Sequence, residues 1–122
     1  KRYKLVVSSN PQIAMAVGAY GVHFSRKTKN IRLFKKLFYS CSYHGFSDKR
    51  RAQNLKVKSV FISPLFKTTS SSKKKPLGLT RLLFFSRSLK CDIGVLGGVN
   101  NKNIFSLRNK QIKHIGGVSL FF

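Results

Sequence analysis

VFISPLFKTTSSSKKKPLGL, from Val60 to Leu79, is the stretch on which the fold turns. It opens on a short apolar run, Val60-Phe61-Ile62, of the kind that fits a strand covered on both faces. Pro64 cannot donate to a ladder, so the strand is predicted to stop at Ser63. A polar loop follows, with hydroxyls from Thr68 to Ser72 and ammonium groups at Lys73, Lys74 and Lys75. Hydroxyls and cations beyond the carboxyl end of a buried strand make an anion clamp. The same composition also fits a solvated loop with no ligand.

Outward from this stretch, strand and helix signals alternate. Leu5-Val6-Val7, Gly21 to Phe24, Phe38 to Cys41, Ile93 to Leu96 and Ile115 to Phe121 read as further short strands. Asn10 and Pro11 form a helix start, a side-chain cap followed by a residue preset for the first turn, and Gly18 is placed to end that helix. A basic segment from Lys27 to Lys36 offers a short helix through Ile31, Phe34 and Leu37. Ser47-Asp48 opens a helix with Ala52 and Leu55 inside, and Thr80 caps one with Leu82, Leu83 and Phe85. Asn100 or Asn101 caps a last helix holding Ile104 and Leu107. Alternation of this kind predicts one α/β domain, residues 1–122, with a parallel sheet and right-handed crossovers.

The balance of charge is extreme: 25 Lys and Arg stand against two acidic residues, a formal net charge of +23. Such a surface attracts nucleic acid, anionic lipid or phosphorylated metabolites alike. Compositional drift toward Lys, Asn, Phe and Ile accounts for it equally well. Two carboxylates, Asp48 and Asp92, leave little material for a hard-cation site or an acid–base carboxylate pair. Cys41 and Cys91 lie far apart with no finger spacing, which predicts reduced thiols and a cytoplasmic setting. No apolar run reaches the ~18 residues of a membrane span.

Taken in order, GAYGVHF (Gly18–Phe24), SYH (Ser42–His44), SPLFKTT (Ser63–Thr69) with PLGL, LGGV (Leu96–Val99) and GGVSLF (Gly116–Phe121) resemble the thiamine phosphate synthase family and its thiazole tautomerase-like relatives. Each piece is common alone; the ordered set covers nearly the whole chain. The resemblance implies a (β/α)8 TIM barrel, here partial, because about six strands are found where eight are needed. On that alignment Leu5-Val6-Val7 corresponds to the family's third strand, and the first two strand–helix units are not represented.

The resemblance also implies chemistry. Intact members join hydroxymethylpyrimidine diphosphate to thiazole phosphate with Mg²⁺, so the implied partners are phosphorylated pyrimidines and thiazoles. The positions of the two Mg²⁺-linked Asp residues fall here on Ser9 and Thr28, which predicts no metal site. Thr68 and Ser70 match the two threonines of the family's T-x-T loop; Lys73 is the nearest substitute for its pyrophosphate lysine. Gly97 and Gly98 correspond to half of a phosphate cup, the other half falling at Phe121 and Phe122; a simple tight turn is the alternative for the glycines. Ser42 and His44 match the S-x-H element, and His44 corresponds to the proton-moving histidine of the metal-free tautomerase-like relatives. A turn histidine bonded to backbone is the competing account of His44, and barrel packing that of His23. Three readings stand beside the transferase: a tautomerase-like enzyme, a non-catalytic binder of a phosphorylated metabolite, and a basic nucleic-acid-associated protein.

Overall fold

The computed structural model describes residues 3–28, 31–69, 74–108, 111–117 and 120. Within them six strands form one sheet in sequence order, with every neighbouring pair parallel. They are β1 (Val6–Ser8), β2 (Gly21–Phe24), β3 (Phe38–Tyr43), β4 (Ser59–Ile62), β5 (Asp92–Val95) and β6 (His114–Ile115). The helices α1 (Pro11–Ala16), α2 (Lys49–Asn54) and α3 (Gly78–Ser88) connect β1 to β2, β3 to β4 and β4 to β5.

Alternation along each strand decides which face is core. Val22 and Phe24, Tyr39, Cys41 and Tyr43, Val60 and Ile62, and Ile93 and Val95 point one way and are buried. The helices supply Ala14, Ala52, Leu82 and Phe85 against that face, and Phe85 meets Tyr43 edge-to-face at 5.1 Å between ring centres. The opposite register carries His23, Ser40, Ser42, Phe61, Gly94 and His114. Strands two apart in a flat sheet are separated by about 9.6 Å. Yet the His23 ring lies 5.6 Å from that of Phe61, and Phe61 5.7 Å from His114. Rings on β2, β4 and β6 therefore converge on a concave face. The sheet is a curled half-barrel, as the strand count predicted.

Local signals explain part of the helix pattern. Asn10 accepts from the Ile13 N–H with its side chain, Pro11 is the first residue of α1, and Gly18 takes φ +64° beyond its end. Other expectations are corrected. No helix forms among the described residues between Lys27 and Lys36; Leu37 instead closes a turn onto the Phe34 carbonyl at 3.2 Å. α3 starts at Gly78, ahead of Thr80, because Leu77 and Gly78 donate their N–H groups to Pro64 and Leu65. Residues Ile104–Leu107 form a 3-10 turn rather than an α-helix. β6 ends at Ile115, short of the predicted Phe121, and Phe121 lies outside the described residues.

Candidate phosphate cleft and its rim

Parallel strands share one direction, so their carboxyl-terminal loops gather at one rim. The loops after β4, β5 and β6 enclose a cleft of about 610 Å³, bordered by Lys67, Thr68 and Thr69, by Gly97 and Gly98, and by Gly116 and Gly117. The first two loops are zipped together: Leu65 N–H donates to Leu96 O at 2.9 Å, and Phe66 N–H to Gly97 O at 3.0 Å. Gly97 and Gly98 hold φ +89° and +69°, a region that side chains disfavour. A Cβ on Gly98 would lie 2.4 Å from the Lys67 carbonyl, and one on Gly97 2.7 Å from Pro64 Cα. Asn103 Nδ2 donates to the Gly98 carbonyl at 2.8 Å, fixing the peptide. Ser70 and Lys73 lie outside the described residues, as do Phe121 and Phe122.

His23 occupies the concave face. Its Nδ1 is 2.9 Å from Ser40 Oγ and its Nε2 3.1 Å from Ser42 Oγ, so one serine donates and the other accepts when the ring is neutral. Burial, and secondly the nearby Arg51 guanidinium, lower its pKa below 6.5. Around it Tyr20, Phe38, Phe61, Leu96 and His114 line a hollow of about 530 Å³.

A third group lies past the ends of β1, β2 and β3. Ser9 Oγ and Thr28 Oγ1 are 3.2 Å apart, and Ser25 Oγ is 3.4 Å from Thr28. Arg51 donates to the Ser25 carbonyl. Asp48, expected as a helix-start residue, is buried and does not cap α2. Its carboxylate accepts the His44 backbone N–H at 2.7 Å and pairs with Arg26 Nε at 3.4 Å. His44 Nδ1 bonds the Ser63 carbonyl, an acceptor, so Nδ1 carries the proton and the neutral ring keeps Nε2 as a base. His44 does not line the cleft at Gly97; it is tied to Ser63, which does.

A thiamine monophosphate synthase family profile matches residues 1–121. The chain belongs to that family. A thiamine-phosphate synthase of Prochlorococcus marinus strain AS9601 is 29% identical over 126 residues, covering 98% of this chain and 36% of the relative. One from Ruminiclostridium cellulolyticum is 27% identical over 120 residues, covering 94% of this chain and 57% of its own length. Among solved structures, a thiamine phosphate pyrophosphorylase from Pyrococcus furiosus superposes with TM-score 0.77 at 20% identity, over 94% of this chain and 56% of that one. The present chain thus spans between about a third and somewhat over half of these relatives.

For a chain of this family, the structure brings Thr68, Gly97 and Gly98 to one cleft and sets Ser42 against His23. It also places the two positions implied for metal-linked carboxylates, Ser9 and Thr28, side by side as hydroxyls. Sequence reading missed the supporting residues. Asn100 shows only as a cap candidate in the sequence and Asn103 carries no signal there, while Gly116-Gly117 read as part of the last strand, although both glycines line the cleft. No helix among the described residues is long and apolar enough to cross a membrane.

Proposed function

We propose that the cleft after β4, β5 and β6 binds the phosphate of a thiazole or pyrimidine metabolite, the ligand-holding part of a thiamine phosphate synthase-like transferase. The observation carrying this reading is the backbone geometry at Gly97-Gly98. Both glycines hold left-handed backbone at the cleft wall, and the loop after β4 fills the space their side chains would take, which leaves the cleft side of the pair bare for a phosphate to approach backbone. Thr68 and Thr69 add hydroxyls, and Lys67 a cation, at the same cleft. In the coupling reaction a bond from the thiazole nitrogen to the pyrimidine methylene replaces the bond to diphosphate, which leaves with the electron pair. Lys67, at the cleft, would meet that growing negative charge.

The divalent cation implied for intact relatives does not fit the residues present. Ser9 and Thr28 are neutral hydroxyls bonded to one another, Asp48 is buried between Arg26 and the His44 N–H, and Asp92 opens β5 at the opposite end of the sheet. A hard cation prefers carboxylate oxygens, so no step is assigned to it. Titration of the chain with thiazole phosphate in EDTA, by calorimetry, tests the binding reading. Gly98→Val is expected to weaken binding about tenfold or more at every ionic strength; equal affinity for both proteins would refute it. Replacing Lys73, Lys74 and Lys75 by alanine should flatten the salt dependence.

A second reading has one observation in its favour. With Nδ1 committed to the Ser63 carbonyl, His44 Nε2 is oriented as a proton acceptor, the requirement for a tautomerase-like step. Deuterium exchange into a thiazole carboxylate, lost in His44→Asn, is its expected signature. Exchange that persists in the variant excludes His44.

A further inference from the structure

A part of the surface away from the glycine cleft remains unused by the phosphate-binding reading. Between the turn Phe46–Asp48 and α3 lies a second cleft, about 680 Å³, whose walls are His44, Phe46, Leu83 and Phe84 and whose rim carries Arg81 and Arg87. The core-facing side of α3 is formed by Leu82 and Phe85, three residues apart; Leu83 and Phe84 fall on the other side. Phe46 and Phe84 are 48% and 61% exposed, too open for packing residues. They meet edge-to-face with ring centres 5.2 Å apart, and Phe46 is braced from beneath by Phe85 at 5.0 Å. Two exposed rings held in fixed positions offer flat apolar surface at little entropic cost.

The charge around these rings has one sign. Of the two acidic residues, Asp48 is buried and paired with Arg26, and Asp92 opens β5 at the far end of the sheet. The cations continue beyond the rim. Arg50 is exposed on α2 and Lys56 follows that helix; Arg81 and Arg87 are exposed on α3 and Lys90 follows it. Both helices run back against the strands, so these groups extend from the rim of the half-barrel toward its other end. A short acidic peptide would meet the cleft alone, whereas a phosphodiester strand would follow the whole line. Its unstacked bases would find the rings.

We propose that this cleft binds single-stranded nucleic acid, with bases packed on Phe46 and Phe84 and backbone phosphates on the α2 and α3 cations. Base–aromatic contact of this type tolerates any sequence, and the phosphate part weakens with salt. The site is separate from the glycine cleft and does not depend on its ligand.

Fluorescence anisotropy with a labelled 12-nucleotide uridine RNA, using the full chain across a salt series, tests it. Phe84→Ala, alone and with Phe46→Ala, is expected to lower affinity about tenfold while leaving the salt slope unchanged. Arg81→Ala with Arg87→Ala should reduce the slope of log affinity against log salt by about 1.4, roughly 0.7 per phosphate contact on a single strand. Phe84 is largely exposed, so its single variant keeps the fold, and thermal unfolding checks this directly. The proposal is overturned if the phenylalanine variants bind like the parent, or if a duplex of equal charge binds as tightly. Loss of vesicle binding to phosphatidylserine bilayers in the same variants, with RNA binding intact, would assign the cleft to a membrane surface instead.

Discussion

At the scale of single residues, two polar groups, one buried and one half-buried, make sharp predictions. Tyr43 is fully buried, its hydroxyl has no hydrogen-bond partner among the described residues, and burial pushes its pKa up to about 12. An orphaned buried hydroxyl costs about 1–3 kcal/mol, while Phe keeps the ring contact with Phe85. Tyr43→Phe should therefore be neutral or raise stability by about 1 kcal/mol in urea unfolding. A clear loss would mean the hydroxyl has a partner. His23 predicts a pH effect. Burial, then Arg51, lowers its folded pKa below the 6.5 of the free side chain. The unfolded chain then binds more protons between those two values, so stability falls as pH drops through 6.5 toward the folded value. Urea midpoints should decline from pH 7.5 to pH 5.5, and His23→Gln should flatten that decline. Cys41 sits in the core with its pKa raised to about 11, chiefly by burial, so its thiolate is scarce at neutral pH.

At the scale of elements, strands were far more legible than helices. Short apolar runs became strands because their alternate residues all face a helix layer, and five of the six centres fell where the pattern put them. Helix limits were set by distant partners that no local pattern carries. α3 begins where Pro64 and Leu65 accept its first N–H groups, and Asp48 is held by Arg26, 22 positions earlier in the chain, rather than by a helix end. Asn100 Oδ1 takes the N–H groups of both Lys102 and Asn103, tightening what reads as an α-helix start into a 3-10 turn. The cleft was half legible for the same reason: a glycine pair shows in sequence, but the asparagine holding its carbonyl does not. Strand β2 offers the clearest test. Gly21 pairs with Phe38 on β3, and a Cβ there would sit 2.3 Å from the Phe38 carbonyl oxygen. Backbone cannot yield as a side-chain tip can. Gly21→Ala should destabilise by about 1–3 kcal/mol in urea titration, and a neutral result would contradict this pairing.

At the scale of the whole molecule, an open sheet and a very high charge oppose one another. Among the described residues β1 and β6 are the edges of the six-stranded sheet, and next to or within them Leu5, Val6 and Ile115 are 58%, 40% and 41% exposed. An apolar edge with free ladder positions is a template for pairing with another chain. The net charge of +23 opposes self-association, because two copies repel before their edges meet. That repulsion is screened over about 10 Å at 0.1 M salt and about 3 Å at 1 M, whereas edge pairing is short-ranged and hardly screened. Raising salt should therefore convert monomers to larger species, the reverse of an assembly held by ion pairs. Sedimentation velocity at low and at 1 M salt would read the shift directly. Val6→Lys places a charge on the β1 edge and should hold the chain monomeric at the higher salt. If the parent stays monomeric throughout, the edges are covered by something other than charge; if the variant associates as the parent does, β1 is not the edge that pairs.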